Sequence, residues 1–598
     1  MPKTVNELFF TTVDRFGSKP AALRFKAGGA WHDLTHAGLA RRVRDTALGL
    51  RELGIRPGDR VGILSSNRPE WAIADYACLT ARCTDVPVYP TLPAKQAIYP
   101  LRDSGAVAVF VADHAQYEKI AATRGEAPAL KHVILFEATV DAPGVISLKE
   151  LERRGAAAEA KYPSYRQDAL AVTPDEVATL IYTSGTTGDP KGVMLTHGNF
   201  ASNVEGALQV FPVNATDTAL SVLPLSHSFE RLAGHYTLFA AGVTICYAES
   251  LDTIGPNLQE VRPTVAIFVP RIYEKFYARV LENALAGGGL KRNIFFWAKR
   301  NAEAWADLTL AKRPVPAGLA VKKRIADRLV FSKLKARVGG RIRFFVSGAA
   351  PLSPEIAKFF LAAGLPIVEG YGLTETSPVI SVNPVDAIRI GTVGKAIPGV
   401  EVRIAPDGEI LARGPNIMRG YYHLPDATRE AIDADGWFHT GDIGTLDADG
   451  YLSITDRKKD IIVTAGGKNI APQPIENLVK TNKFVANAVM IGDKRRFPIM
   501  LIVPDRAALE GWARERNLPT EDYAALLRHP DAVAKVEREV MANLRDLASY
   551  ETPKRLALLE YDFSVEAGEM TPTLKVKRRI VEQKCAAEIA RLYEEEAP

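Results

Sequence analysis

Between Tyr182 and His197 the chain reads YTSGTTGDPKGVMLTH, a stretch dense in hydroxyl groups, with three glycines and one lysine. The hydroxyls of Thr183, Ser184, Thr186 and Thr187, with the backbone N–H groups between them, suit a bound oxyanion such as a phosphate. Gly185, Gly188 and Gly192 let the backbone approach a bulky group or adopt positive φ. The loop is not a Walker A loop, which needs Gly-Lys-Ser/Thr opening a helix. Here Lys191 stands between Pro190 and Gly192. The flanks ATLI and GVMLTH are apolar and β-branched, so the loop is expected to join two strands. A plain Ser/Thr/Gly surface turn is the competing reading; the length and donor density of the loop favour a nucleotide.

Further segments carry chemistry that fits a nucleotide. EGYGLTETSP (Glu369–Pro378) offers Tyr371 for stacking on a base and Glu375 for Mg²⁺, which takes oxygen ligands alongside phosphates. VSGAAPLSPEI (Val346–Ile356) places Gly348 where a strand ends and a helix opens, a common ligand position. GWFHTGDIG (Gly436–Gly444) presents Asp442, a carboxylate able to accept both ribose hydroxyls. DRKKD follows with Arg457, and GEMTPTLKVKRR (Gly568–Arg579) sets Lys575 on a turn-rich segment. A lysine there is a compact charge for a phosphate or a developing anion.

These residues need a large scaffold. A chain of 598 residues is too long for one core and should divide into several units. With 47% apolar and 24% charged residues the composition is that of a soluble globular protein. A net charge of +5 gives no case for nucleic acid as a partner. Cys78, Cys83, Cys246 and Cys585 are scattered, which argues against a zinc site and for a reducing, cytoplasmic compartment. The N-terminal residues lack a signal-peptide pattern, and no apolar run reaches the ~18 residues of a membrane span.

From about Arg60 to Glu369, apolar runs such as RVGILSS, TALSVLPL and TVAIFVP alternate with amphipathic stretches. That alternation predicts mostly parallel sheets covered by helices. After Pro378 the pattern shifts to short antiparallel strands with turns at Asp407-Gly408 and Asp449-Gly450. The expected fold is α/β: a large N-terminal domain of helix-covered sheets with a small β-barrel-like subdomain (1–455), a hinge (456–460) and a small mobile α+β domain (461–598). Between Lys291 and Arg343, fifteen Lys/Arg face three Asp/Glu. This stretch reads either as a solvated helical face or as a basic surface for an anionic membrane or cofactor. Glu230 and Arg231 read as an exposed helical pair, His227 as a core or a site histidine, and Trp437 and Phe438 as packing residues.

The ordered segments resemble the signatures of the acyl-adenylate-forming ligases, the superfamily of acyl-CoA synthetases, luciferases and peptide-synthetase adenylation domains. LPLSHSFER (Leu223–Arg231), DRKKDIIVTAGGKNIAP and the basic insertion before IRFFVSGAAP look most like the long-chain fatty acid–CoA ligases. The resemblance implies adenylation of a fatty acid by Mg·ATP, then transfer to coenzyme A. It implies ATP contacts from Thr183, Ser184, Gly185, Thr186, Thr187, Gly188 and Lys191, and from Gly348, Glu369, Gly370, Tyr371, Gly372 and Thr374. Asp442, Arg457 and Lys459 complete that set. Thr183 and Glu375 would hold Mg²⁺, Lys575 would bridge carboxylate and α-phosphate, His227 would wall the acyl tunnel and Lys459 would be the hinge. The sequence departs from the family in two places: Val463 stands where many members have lysine, and no Ser-Gly precedes Lys575, which makes Lys577 a second candidate. Another acid, a carrier-protein acceptor and a homodimer stay open within the resemblance.

Overall fold

The computed structural model describes residues 2–137, 140–183, 189–286, 288–565, 567–571 and 576–594. Two large sheets organise the N-terminal three quarters of the chain. The first has eight strands, in the order Gly420–Tyr421, Lys191–Thr196, Val177–Thr183, Thr84–Val88, Arg60–Leu64, Ala108–Val111, His132–Leu135 and Val145–Ser147. From Val177–Thr183 to Val145–Ser147 every pairing is parallel, and the two strands at the other edge are antiparallel.

The second sheet has nine strands, with Phe344–Ser347, Val265–Phe268, Thr218–Ser221 and Thr244–Tyr247 at its parallel centre. All four are buried along their lengths except Thr218, as expected of parallel strands covered on both faces. The alternation in the sequence is realised directly. RVGIL forms the strand Arg60–Leu64, and the helix Pro69–Thr80 follows, begun by Pro69, whose fixed φ suits a first turn. Only Glu70 on that helix escapes full burial.

The expected small β subdomain is a four-stranded antiparallel sheet, in the order Glu401–Ile404, Glu409–Arg413, Phe438–Leu446 and Leu452–Arg457. Gly408 and Gly450 turn its hairpins at φ of +87° and +81°, where a side chain would be strained. Trp437 is buried beneath Arg403 and Arg413, whose guanidinium carbons lie 4.2 and 4.5 Å from its ring centroid. Phe438 is buried too, so both are packing residues.

Beyond Ile462 the chain builds apolar cores from its own residues, one drawn from Ile462 to Leu544 and one from Val489 to Leu592. They cover a three-stranded sheet of Val485–Ile491, Ile499–Pro504 and Leu556–Leu558. The four cysteines are buried and unpaired. Among the described residues, no helix is long and apolar enough to cross a membrane.

Candidate active site

The strands Val177–Thr183 and Lys191–Thr196 pair antiparallel with Thr183 opposite Lys191, so the donor-rich loop does join two strands. Ser184, Gly185, Thr186, Thr187 and Gly188 lie outside the described residues. At the loop's far flank, Lys191 Nζ sits 4.8 Å from the centroid of the Tyr421 ring. The Tyr421 hydroxyl donates to Glu375 Oε1 at 2.9 Å, and Met418 N–H donates to the Glu375 carbonyl at 2.8 Å. Burial, and then the Glu375 carboxylate, push the Tyr421 phenol upward. Residues far apart in sequence thus bring the loop's lysine and Glu375 to the same phenol, one at its face and one at its hydroxyl.

Glu375 belongs to a short 3₁₀ turn, Thr374–Thr376, just after the strand Ile367–Gly372. Thr374 Oγ1 lies 3.2 Å from Ser228 Oγ, which joins this turn to the LPLSHSFER segment. Gly372 is fixed by space: a Cβ there would lie 1.6 Å from the Pro378 carbonyl oxygen. At Gly348 a Cβ would stand 2.7 Å from the ring of Phe229, so only glycine lets that ring close on the SGAAP turn. Gly370, by contrast, has ordinary room. Glu369 ends buried, and burial pushes its carboxyl up to about 8. It accepts from Leu352 N–H at 3.4 Å, tying the SGAAP turn to the GYG strand.

The residues read as the nucleoside side also converge. Asp442 and Arg457 are cross-strand partners, with Arg457 Nε 3.2 Å from Asp442 Oδ1. The Tyr371 hydroxyl donates to Asp442 Oδ2 at 2.6 Å. Both oxygens of the buried Asp442 are therefore already oriented. Tyr371→Phe keeps the ring and removes only this bond to a charged acceptor, so stability is expected to drop by about 1.5–3 kcal/mol. ATP affinity should move by about threefold or less, and Tyr371→Ala should cost clearly more. Denaturant melts and ATP titration of both variants check this; equal ATP affinity in the two would deny the ring a part in binding.

Lys459 is exposed on the turn that follows Arg457, where Asp460 N–H donates to the Arg457 carbonyl at 2.9 Å. Its neighbour Lys458 reaches back to Asp407 and Glu409, at 2.6 and 3.0 Å. Lys575 lies outside the described residues; Lys577 is half-buried before the helix Arg578–Lys584. Val463 is exposed, and its N–H donates to Asp493 at 3.1 Å. His227 is half-buried rather than a core residue, and its Nδ1 accepts from Phe229 N–H at 3.1 Å.

One expectation is overturned. Glu230 and Arg231 are not an exposed pair: they are 1% and 0% exposed, on a π-helical segment, Glu230–Tyr236. All five guanidinium N–H groups of Arg231 are directed to acceptors. Nε donates to Tyr236 Oη at 3.0 Å, and Nη1 donates to Asp85 Oδ1 and Thr179 Oγ1 at 3.0 and 2.9 Å. Nη2 donates to Asp85 Oδ2 at 2.6 Å and to Asp75. Burial pushes Asp75 upward against the pull of Arg231, since two carboxyls share one cation. Glu230 accepts from Ser221 Oγ at 2.6 Å, and burial pushes it up to about 8. The sequence signal was the acidic partners: Asp75 and Asp85 sit inside the apolar runs PEWAIADYACLT and TDVPV, where an unpaired charge would be costly.

A model of the AMP-binding enzyme family matches residues 9–422, and a model of an AMP-binding enzyme C-terminal domain matches residues 459–597. The chain is 40% identical over 573 residues to the long-chain-fatty-acid–CoA ligase FadD15 of Mycobacterium bovis, covering 95% of this chain and 93% of that one. It is 36% identical to the peroxisomal long chain acyl-CoA synthetase 6 of Arabidopsis thaliana, covering 94% of this chain and 82% of the relative. Among solved structures, the adenylation domain of a carboxylate reductase from Mycobacterium chelonae superposes with a TM-score of 0.76 at 21% identity, covering 99% of this chain and 91% of that one. An anthranilate CoA ligase bound to anthranoyl-AMP gives 0.73 at 18% identity, covering 99% of both chains. With a family model spanning most of its length and relatives this similar over nearly all of it, the chain belongs to the AMP-binding enzyme family.

Proposed function

We propose that this protein is an AMP-forming long-chain fatty acid–CoA ligase. The observation that carries the reading is 40% identity over 95% of the chain to a long-chain-fatty-acid–CoA ligase. A fatty carboxylate oxygen attacks the α-phosphorus of ATP and pyrophosphate leaves, giving the acyl-adenylate. The CoA thiol then attacks the acyl carbon, AMP leaves, and the thiol proton passes to solvent.

In this reading the loop from Thr183 to Lys191 holds the β- and γ-phosphates that depart. Asp442 receives the ribose hydroxyls, with Tyr371 and Arg457 orienting its oxygens. His227 and Phe229 wall the acyl side, where the Phe229 ring lies against Gly348. The donor set fits Mg²⁺: the Thr183 hydroxyl and the Glu375 carboxylate are hard oxygen donors, and this ion is commonly held by one or two carboxylates plus phosphate oxygens. Bound there, Mg²⁺ would neutralise phosphate charge. Lys575 would stabilise charge on the α-phosphate after 461–598 closes over the site by bending at 456–460, with Lys459 as pivot.

Incubation with ATP, Mg²⁺, CoA and a panel of acids, followed by mass spectrometry, tests the reading. Long-chain acyl-CoA and AMP are the expected products, with aryl and medium-chain acids poorer by kcat/KM. Thioester only with aryl acids, or acyl transfer only to a holo-carrier protein, would overturn it.

The reading extends to an anionic membrane surface, where fatty acids partition. The basic stretch 291–343 is built mainly of the helices Gly288–Leu310 and Ala317–Ala326 and the segment that follows them to Arg337. Val321, Ile325 and Leu329 are 54%, 45% and 49% exposed and fall on one face at successive turns. Exposed Lys322, Arg324, Arg328 and Lys333 flank them, the arrangement of a helix that rests in a lipid interface. Each cation near such a surface contributes about 1 kcal/mol, less with salt. Sedimentation with anionic vesicles is therefore expected to weaken with salt and with Ile325→Glu. Equal sedimentation with neutral vesicles would remove the electrostatic account.

A further inference from the structure

Arg231 takes no part in the chemistry above, yet it is fully buried, spends every donor it has and joins the two sides of the site. On one side are Asp85 and Thr179, neighbours in the parallel pairing of the first sheet. Thr179 belongs to Val177–Thr183, the strand that ends at the donor-rich loop. Asp75, from the buried helix Pro69–Thr80, and Tyr236 complete the shell, and the Tyr236 hydroxyl donates to Asp75 at 2.8 Å.

On the other side, the backbone N–H of Arg231 donates to the His227 carbonyl at 3.1 Å, and His227 N–H donates to the Pro224 carbonyl at 2.9 Å. These bonds, with that from Phe229 N–H to the His227 ring, fold residues 224–231 into one compact turn. The turn places the Phe229 ring on Gly348 and the Ser228 hydroxyl against Thr374, next to Glu375. The turn runs into the π-helical segment Glu230–Tyr236, an uncommon backbone form often found at functional sites.

We propose that Arg231 is a positioning residue for adenylation: it fixes the turn that walls the acyl side against the strand that leads into the phosphate loop. The proposal rests on the ligase reading. Carboxylate and α-phosphorus approach from these two sides, and the reaction requires them at near-attack distance. A displacement of about 1 Å in such a step can cost on the order of 10²-fold. Only arginine fits the role, because the shell demands five donors in a planar fork, whereas lysine supplies three from a point charge.

The test uses the full chain as wild type, Arg231→Lys and Thr179→Val. Thr179→Val keeps every charge and removes one of the five acceptors, so it remains informative where Arg231→Lys fails to fold. Thermal melts establish that each variant is folded at the assay temperature. ATP binding is then measured by titration, and adenylation by ATP–pyrophosphate exchange over saturated acids of increasing length. Both variants are expected to bind ATP within about threefold of wild type. Exchange kcat is expected to fall about threefold in Thr179→Val and tenfold or more in Arg231→Lys, with KM for the acid rising. Loss of exchange at unchanged ATP affinity in a folded protein is a signature that a purely structural role would not produce. A folded Thr179→Val with wild-type kcat and acid KM overturns the proposal, as does a fall in kcat no larger than the unfolded fraction. Wild type that exchanges with no acid overturns the ligase reading first, and the proposal with it.

Discussion

Lys575→Ala is expected to lower acyl-adenylate formation by roughly 10²–10³-fold, the scale of one positioned electrostatic donor at a developing charge. The same variant should still convert supplied acyl-adenylate and CoA to thioester at a near-normal rate. The asymmetry follows from the proposed domain movement. Lys575 and Thr183 lie on opposite sides of the 456–460 segment in the sequence, so in that proposal they meet at one phosphate only when residues 461–598 close over the site. The second step needs a path for the CoA thiol, for which the proposal gives that domain a different placement. Lys459→Pro, by fixing φ and removing an N–H at the proposed pivot, should mainly slow thioester formation. Single-turnover measurements of each half-reaction decide the matter. Equal impairment of both steps by Lys575→Ala, or of neither, would show that this lysine does not alternate. Lys577→Ala serves as the comparison, expected to leave both steps within about tenfold.

The second large effect is expected at Glu375. Glu375→Gln removes one negative charge while the side-chain carbonyl can still accept from the Tyr421 hydroxyl, so the surrounding turn should survive. Pyrophosphate exchange should fall on the order of 10²-fold, with half-saturation moving to higher Mg²⁺ concentration. Tyr421→Phe is the control: it keeps the charge and loses one hydrogen bond to it, a change of about 1.5–3 kcal/mol at most. A Mg²⁺ titration of exchange across the three proteins separates charge from orientation. Unchanged Mg²⁺ dependence in Glu375→Gln would remove this carboxylate from the metal site.

Much of this protein is legible locally. RVGIL followed by PEWAIADYACLT declares strand and helix, because a continuous apolar run and a proline-started helix are signals carried by neighbouring residues. The Asp-Gly turns at 407–408 and 449–450 are equally local, since positive φ selects glycine whatever surrounds it. The strands that flank the donor-rich loop pair as their β-branched residues suggested. The order of the segments was enough to place the chain among the AMP-binding enzymes.

What the sequence could not decide is which side chains meet. Tyr371 holding Asp442, Lys191 and Glu375 sharing Tyr421, and Phe229 closing on Gly348 all join residues from separate segments of the chain. Arg231 is the clearest instance. Beside Glu230 on an expected helix face it reads as solvated, because adjacent opposite charges ordinarily are. Its burial depends on two carboxyls, a threonine and a tyrosine contributed by a helix, two strands and its own π-helical turn. A charge enters the interior only when all its partners arrive together, and the meeting of the helix Pro69–Thr80 and the π-helical turn with the first sheet is what brought them.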